Sequence, residues 1–282
     1  MAKINATPEE FKNFSKYILD ISGIALAAGK EYLLETRLNP LLHKHECSSF
    51  SQLHQIAKQD FKKKIENEII DAISTNETYF FRDKSPFELL KNKILPDLID
   101  KRSKENSSLK PTIRLWSAAN STGQEIYSIA MTMLEMGITP DKYNIKLFGS
   151  DISDSAIAQA SYGLYNKFEV ARGLDVSRLN RYFDKRDDNF KIKDQIRSMA
   201  QFKKMNLMKP LMGLGKFDII LCRNVMIYFT GQDRKRIYQN ISKILEPDGY
   251  LLIGSTESLA NDIDIFSSQK YLNSVFYQFK QV

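Results

Sequence analysis

From Thr112 onward, short apolar runs alternate with amphipathic stretches, and this alternation narrows the possible folds more than anything else in the chain. Residues 112–118, 145–150 and 217–222 read as strands, with a weaker one at 199–206. Residues 124–136, 153–160 and 232–245 carry a helical period; 250–255 reads as a strand and 274–280 as a last edge strand. Apolar strands separated by helices predict an α/β fold with a mostly parallel sheet covered on both faces.

The first 75 residues follow another pattern. Thr7-Pro8-Glu9-Glu10 is a helix start, with a capping hydroxyl, proline in the first turn and carboxylates at the positive end of the dipole. Phe11, Phe14, Ile18 and Ile21 then recur at helical spacing until Gly23. Further helices fit 30–43, 50–58 and 61–75, and nothing before residue 76 reads as a strand. The expected organisation is an all-helical domain over 1–75 and an α/β domain over 76–282. Ser85-Pro86 opens one more helix, to about residue 100, and the polar stretch 101–110 reads as a linker.

A length of 282 residues suits about two domains. No apolar run approaches the ~20 residues that span a bilayer, and residues 1–20 lack the apolar core of a signal peptide. Two cysteines, Cys47 and Cys222, make neither a disulfide framework nor a four-ligand zinc site, so the expected setting is the cytoplasm. All three histidines lie within the first 54 residues, which argues against a histidine-based hydrolase in the α/β part. The net charge is +7, and residues 161–204 hold 11 basic against 6 acidic residues, net +5. That stretch is either a solvated face or a docking surface for an acidic partner. Basic residues interleave too weakly with aromatics to suggest single-stranded nucleic acid.

Ligands of open α/β sheets sit at the carboxyl ends of the strands. The loop after the first strand, Ala118-Ala119-Asn120-Ser121-Thr122-Gly123, is small and polar, but it is neither GxGxxG nor a P-loop. A tight strand-to-helix turn explains it equally well. Asp151 ends the second strand, where a carboxylate can accept hydrogen bonds from both ribose hydroxyls; a helix cap is the alternative use, and Ser153 or Asp154 can supply that instead. A nucleoside ligand without phosphate fits both, and S-adenosylmethionine is one, with Glu125 placed to meet its amino group. Two more segments stand out. Asn76-Glu77-Thr78-Tyr79-Phe80-Phe81-Arg82-Asp83 sets three consecutive aromatics beside charges. Cys222-Arg223-Asn224-Val225-Met226-Ile227-Tyr228-Phe229 leaves Arg and Asn in need of partners at a strand's end.

These two segments, with Trp116 to Glu125 and Leu245-Glu246-Pro247-Asp248-Gly249, resemble the CheR family of chemotaxis receptor methyltransferases over nearly the whole length. The resemblance implies a helical domain joined to a Rossmann-like class I methyltransferase with a small β-rich insert, here the basic stretch at about 161–204. It also implies methyl transfer from S-adenosylmethionine to glutamate side chains of methyl-accepting chemotaxis receptors, in their cytoplasmic helical region. The products would be glutamyl methyl esters and S-adenosylhomocysteine. Family cofactor contacts map onto Asn76, Thr78, Arg82, Glu125, Asp151, Asn206, Leu207, Arg223 and Asn224, and residues near the transferred methyl onto Arg82 and Tyr228. The chain departs from the common loop at Asn120, Gln124 and Ile126, where cysteine, glutamate and proline are usual. Some members dock a receptor's C-terminal peptide on the insert, beside a Gly-rich turn. The matching stretch here, Asp184-Lys185-Arg186-Asp187-Asp188-Asn189, is shorter and lacks glycine, so tight peptide binding is not expected.

The chemistry agrees with this residue set. A glutamate carboxylate, with an unperturbed pKa of roughly 4.3, is ionised at neutral pH. Attack on a sulfonium methyl needs no general base and no metal, only alignment, which can supply ~7–11 kcal/mol. Arg82 and Tyr228 donate hydrogen bonds in fixed directions and suit positioning roles. The rivals are a non-catalytic S-adenosylmethionine-binding scaffold or sensor in chemotaxis signalling, and a nucleic-acid methyltransferase, against which the missing Asp/Asn-Pro-Pro-Tyr tetrapeptide argues. No nucleic-acid partner and no membrane insertion are expected, and a monomer is the expected state. The basic run Lys62-Lys63-Lys64 at the predicted start of the fourth helix is either solvated or a contact for acidic receptor helices.

Overall fold

A computed structural model describes residues 3–27, 29–105 and 110–280. Four helices come first: α1 (Pro8–Ser22), α2 (Glu31–Lys44), α3 (Phe50–Gln59) and α4 (Lys64–Ile73). Thr7 and Glu10 form a reciprocal capping box at the start of α1. Phe14, Ile18, Leu34, Leu38, Phe50, Leu53, Ile69 and Ile73 pack into a core of their own. Gly23 ends α1 in the left-handed region (φ 84°), where a Cβ would lie 2.6 Å from the Phe229 ring. Glycine there lets the end of α1 rest on the α/β part. The fourth helix starts later than its periodicity suggests. Asp60 accepts the Lys62 and Ile65 amides in a turn, with Lys63 left-handed, so Lys62 and Lys63 precede the helix.

The stretch expected to be a helix followed by a linker is helical through residue 105: α5 (Ser85–Leu89), one π-helical turn (Leu90–Ile94) and α6 (Leu95–Glu105). Long-range charge pairing extends it. Arg102 reaches Asp218 Oδ1 at 2.6 Å and Asp248 Oδ2 at 2.9 Å, two carboxylates more than 100 residues away in sequence. Part of the expected linker, residues 106–109, lies outside the described residues.

The α/β part then runs β1 (Thr112–Ala118), α7 (Gln124–Glu135), β2 (Asn144–Asp151), α8 (Asp154–Tyr162), β3 (Leu164–Asn166), α9 (Lys167–Ala171), α10 (Val176–Tyr182), β4 (Phe183–Arg186), β5 (Asn189–Ile192), α11 (Asp194–Arg197), β6 (Ala200–Lys204), β7 (Phe217–Cys222), α12 (Gly231–Ile244), β8 (Leu245–Ile253), β9 (Phe266–Tyr271) and β10 (Ser274–Phe279). The main sheet has the order β6-β2-β1-β7-β8-β10-β9. Its first five members pair in parallel and its last two antiparallel. Every residue of β7 is buried. Ile219 and Leu221 enter the core on one face, Ile220 and Cys222 that on the other, as expected of a strand covered on both sides. The strand read as the last edge, β10, is internal, because β9 pairs along its outer side. The period-2 pattern of 274–280 was legible, but β9, whose outward residues are polar, was not.

The insert is a three-stranded antiparallel sheet, β3-β5-β4, with short helices. It ends earlier than expected: β6 pairs in parallel with β2 and belongs to the main sheet. Consecutive strands β1 and β2 lie on one side of the sheet's centre and β7 on the other, so the order reverses between β1 and β7. A crevice opens there at the strands' carboxyl ends.

Candidate functional site

The crevice holds a cavity of about 400 Å³, within the ~300–1,000 Å³ usual for small-molecule and cofactor sites. Its walls include Asn76, Thr78, Arg82, Glu125, Asp151, Asn206, Leu207, Arg223, Asn224 and Tyr228. The ten cofactor and acceptor candidates are therefore in one place, although they come from segments spread over some 150 positions.

Each wall has a local cause. After β1, Ala119 (φ 58°) and Ser121 (φ 54°) are both left-handed, a conformation that costs a residue with a Cβ about 1–2 kcal/mol. Hydrogen bonds offset the strain. The Asn120 amide donates to the Ser150 carbonyl at 2.8 Å, and the Ser121 amide to Asp151 Oδ2 at 2.8 Å. Asp151 Oδ1 accepts the Ser153 amide at 3.0 Å. Ser153, not Asp151, caps α8. Burial pushes the Asp151 carboxyl above the usual aspartate range, against the pull of its backbone donors.

Glu125, in the first turn of α7, accepts the Ser117 hydroxyl at 2.8 Å and pairs with Arg223 at 2.6 Å. Arg223 is the partnered arginine that the end of β7 called for. Its side chain is 1% exposed, and it also binds Asp83 Oδ2 at 2.7 Å and the Arg82 carbonyl at 3.1 Å. Its Nε is buried without a protein partner, an orphaned donor beside the cavity. Asn224 is left-handed (φ 56°). Arg82 Nη1 donates to the Glu77 carbonyl at 2.7 Å. Ser121 Oγ donates to the Asn76 carbonyl at 3.1 Å, tying the aromatic segment to the loop after β1. The Asn206 amide spans Ile21 and Met208, linking the loop after β6 to α1. Tyr228 ends a 3-10 turn (Met226–Tyr228), and its carbonyl accepts the Ala25 amide at 2.9 Å.

Two groups of residues escaped the sequence reading. The helical part supplies a whole wall, including Ser22, Ile24, Ala25, Lys30, Tyr32 and Ile73. No spacing in the sequence marks these positions, since only docking of α1 and α4 on the sheet brings them near. The other is Glu257, in the loop after β8. Its carboxylate accepts three amides, from Asn224 at 2.9 Å, Met226 at 3.0 Å and Gly254 at 2.7 Å. It holds in place the turn that carries Asn224 and Tyr228. A Cβ on Gly254 would sit 2.6 Å from Glu257 Oε2.

The arrangement suits an adenosine-bearing cation. It offers a buried carboxylate at a strand tip, a second carboxylate at Glu125, and a loop of small residues without a P-loop motif. Comparison with known proteins points the same way. A family model described as CheR methyltransferase, SAM binding domain, matches residues 76–274, and one described as CheR methyltransferase, all-alpha domain, matches 9–74. The chain is 35% identical to a chemotaxis protein methyltransferase of Vibrio parahaemolyticus, covering 99% of this chain and 100% of that protein. It is likewise 35% identical to chemotaxis protein methyltransferase 1 of Vibrio cholerae, with the same coverage. Chemotaxis protein methyltransferase 1 of Pseudomonas aeruginosa is 36% identical, covering 98% of this chain and 100% of that protein. Among the described residues no helix is long and apolar enough to cross a membrane.

Proposed function

The chain belongs to the CheR methyltransferase family, and from that premise we propose that it methylates glutamate side chains in the cytoplasmic helical region of chemotaxis receptors, using S-adenosylmethionine and yielding glutamyl 5-O-methyl esters. The supporting observation is the convergence of the ten sequence-selected residues on one cavity. At its cofactor end Asp151 offers the lone pairs that its backbone donors leave free to the ribose hydroxyls. Glu125, held by Ser117 and Arg223, meets the amino group of the methionine moiety. Bound there, S-adenosylmethionine supplies a methyl group activated by its positively charged sulfur.

At the other end Arg82 and Tyr228 receive the acceptor. The guanidinium fork of Arg82 binds the glutamate carboxylate, and the Tyr228 hydroxyl donates to one of its oxygens, fixing the other towards the methyl group. Because the acceptor is already ionised, no residue needs to take a proton, and holding the reactants in line lowers the barrier. The helical part supplies one wall of the cavity.

The test incubates the protein with methyl-labelled S-adenosylmethionine and receptor signalling domains. Label on the receptor that mild base releases as methanol is the expected result. Label on another macromolecule, or cofactor binding with no transfer, refutes the assignment, the latter in favour of a binding scaffold.

A further inference from the structure

The insert reaches the segment that carries Arg82 through Arg172, which follows α9. Arg172 Nη1 pairs with Glu77 Oε1 at 2.5 Å, and its Cζ lies 4.4 Å from the centre of the Tyr79 ring. Arg82 approaches the same two residues. Its Nη1 donates to the Glu77 carbonyl at 2.7 Å, and its Cζ lies 5.8 Å from the same ring centre. The neighbouring Gly173 is pressed against this segment so closely that a Cβ there would fall 1.8 Å from the Phe80 carbonyl oxygen. Backbone apposition therefore fixes where Arg172 starts. Residues 76–78 wall both the cofactor cavity and a second groove, to which Arg172 contributes.

Two guanidinium groups thus meet around Tyr79, one of them paired with the Glu77 carboxylate. We propose that Arg172 is a positioning residue: it occupies the Glu77 carboxylate and so leaves the Arg82 fork available for the acceptor carboxylate. Arg82 is already bonded to the carbonyl of the residue that bears this carboxylate. Without Arg172, the Glu77 carboxylate is an intramolecular competitor for the same planar donors, and each N–H that it engages is lost to the acceptor carboxylate. Arg172 is the cation that removes the competitor. The side chains of the pair are 53% and 55% exposed, so the effect is that of a solvated ion pair and not of a buried one.

The inference rests on the reading of Arg82 as an acceptor-binding residue, and the experiment separates the two. Arg172→Ala is expected to lower kcat/KM for receptor methylation about fivefold, the scale of an exposed pair, with the Kd for S-adenosylhomocysteine unchanged. Adding Glu77→Gln to Arg172→Ala removes the competitor and is expected to restore kcat/KM to within about twofold of the native chain. A strap that merely tied insert to segment would not be repaired by deleting its other half. A double variant as slow as Arg172→Ala, or an Arg172→Ala variant as fast as the native chain, overturns the proposal. If Arg82→Ala leaves kcat/KM untouched, the acceptor role of Arg82 falls and this proposal with it. If Arg82→Ala is slow and the rescue fails, only the role of Arg172 falls.

Discussion

Asp151→Ala is expected to weaken S-adenosylhomocysteine binding by roughly 10²-fold. Asp151 already takes the Ser121 amide at 2.8 Å on Oδ2 and the Ser153 amide at 3.0 Å on Oδ1, with the Ile152 amide a further donor, and its remaining lone pairs can serve the ribose hydroxyls. Two charge-assisted bonds at ~1.5–3 kcal/mol give at most ~6 kcal/mol. The lower end of that range, ~3 kcal/mol for the two bonds together, corresponds to roughly 10²-fold in affinity. Titration calorimetry measures it, and a loss smaller than about threefold, under ~0.7 kcal/mol, refutes the ribose assignment. The ionised form is the one that accepts both hydroxyls. Affinity should therefore fall as pH drops through the raised pKa, beginning above the ordinary aspartate value of 3.8. Stability runs the other way: a raised folded pKa contributes stability below the unfolded value and loses it as pH rises through the folded one. Asp151→Asn, which cannot titrate, should remove the acid-side loss of affinity while leaving weakened binding at neutral pH.

Tyr228→Phe should reduce receptor turnover about tenfold, the scale of one hydrogen bond to a charged acceptor, with the cofactor Kd kept; unchanged turnover removes Tyr228 from the acceptor site. Arg102→Ala strands the buried Asp218 carboxylate and should cost ~3–5 kcal/mol in urea unfolding, with a loss under ~1 kcal/mol refuting the network's importance. Arg102 holds the Asp248 carboxyl down at about 2, so its stabilising contribution is present above the ordinary 3.8 and should be lost as pH falls from there towards 2. Reversing the charge of Lys62 and Lys63, both exposed, should raise the KM for receptor at low salt and leave cofactor binding alone; an unchanged KM rules out that contact. The β4–β5 turn closes on two residues with Asp187 left-handed (φ 52°), and a C-terminal receptor pentapeptide should not bind the insert in the low micromolar range; saturable binding there would show that the shortened turn still supports a groove. Lys191 and Lys193 are committed to carbonyls of Tyr162, Asn180 and Arg181, so Lys185 and Arg186, exposed on β4, are the better probes of any electrostatic docking.

Much of this molecule was legible because its determinants are local. A cap, a proline and an apolar residue every third or fourth position define α1 without reference to the rest of the chain. Five apolar or small residues out of six, broken only by Asp218, define β7. The end of a strand followed by small residues marks a ligand loop, so Asp151 and the loop at 119–123 could be singled out before any packing was known. Other features depend on partners far away in sequence, and no periodicity announces them. Arg102 lies in a polar stretch that looks like a linker until Asp218 and Asp248 arrive from two other elements. β9 carries too few apolar residues to announce itself and becomes a strand by pairing with β10. Glu257 reads as a polar loop residue until three amides from two separate turns converge on it. The helical wall of the cavity follows from Gly23 letting α1 end against Phe229 and Met208. The sequence by itself determined the element types, the layer architecture and the chemical character of the site, since these follow from propensity, period and side-chain chemistry within a few residues. Tertiary structure alone decided which charges pair, which strand is the edge and how Arg82 and Arg172 share the Tyr79 ring, because those outcomes are set by the geometry that packing imposes on residues tens to hundreds of positions apart.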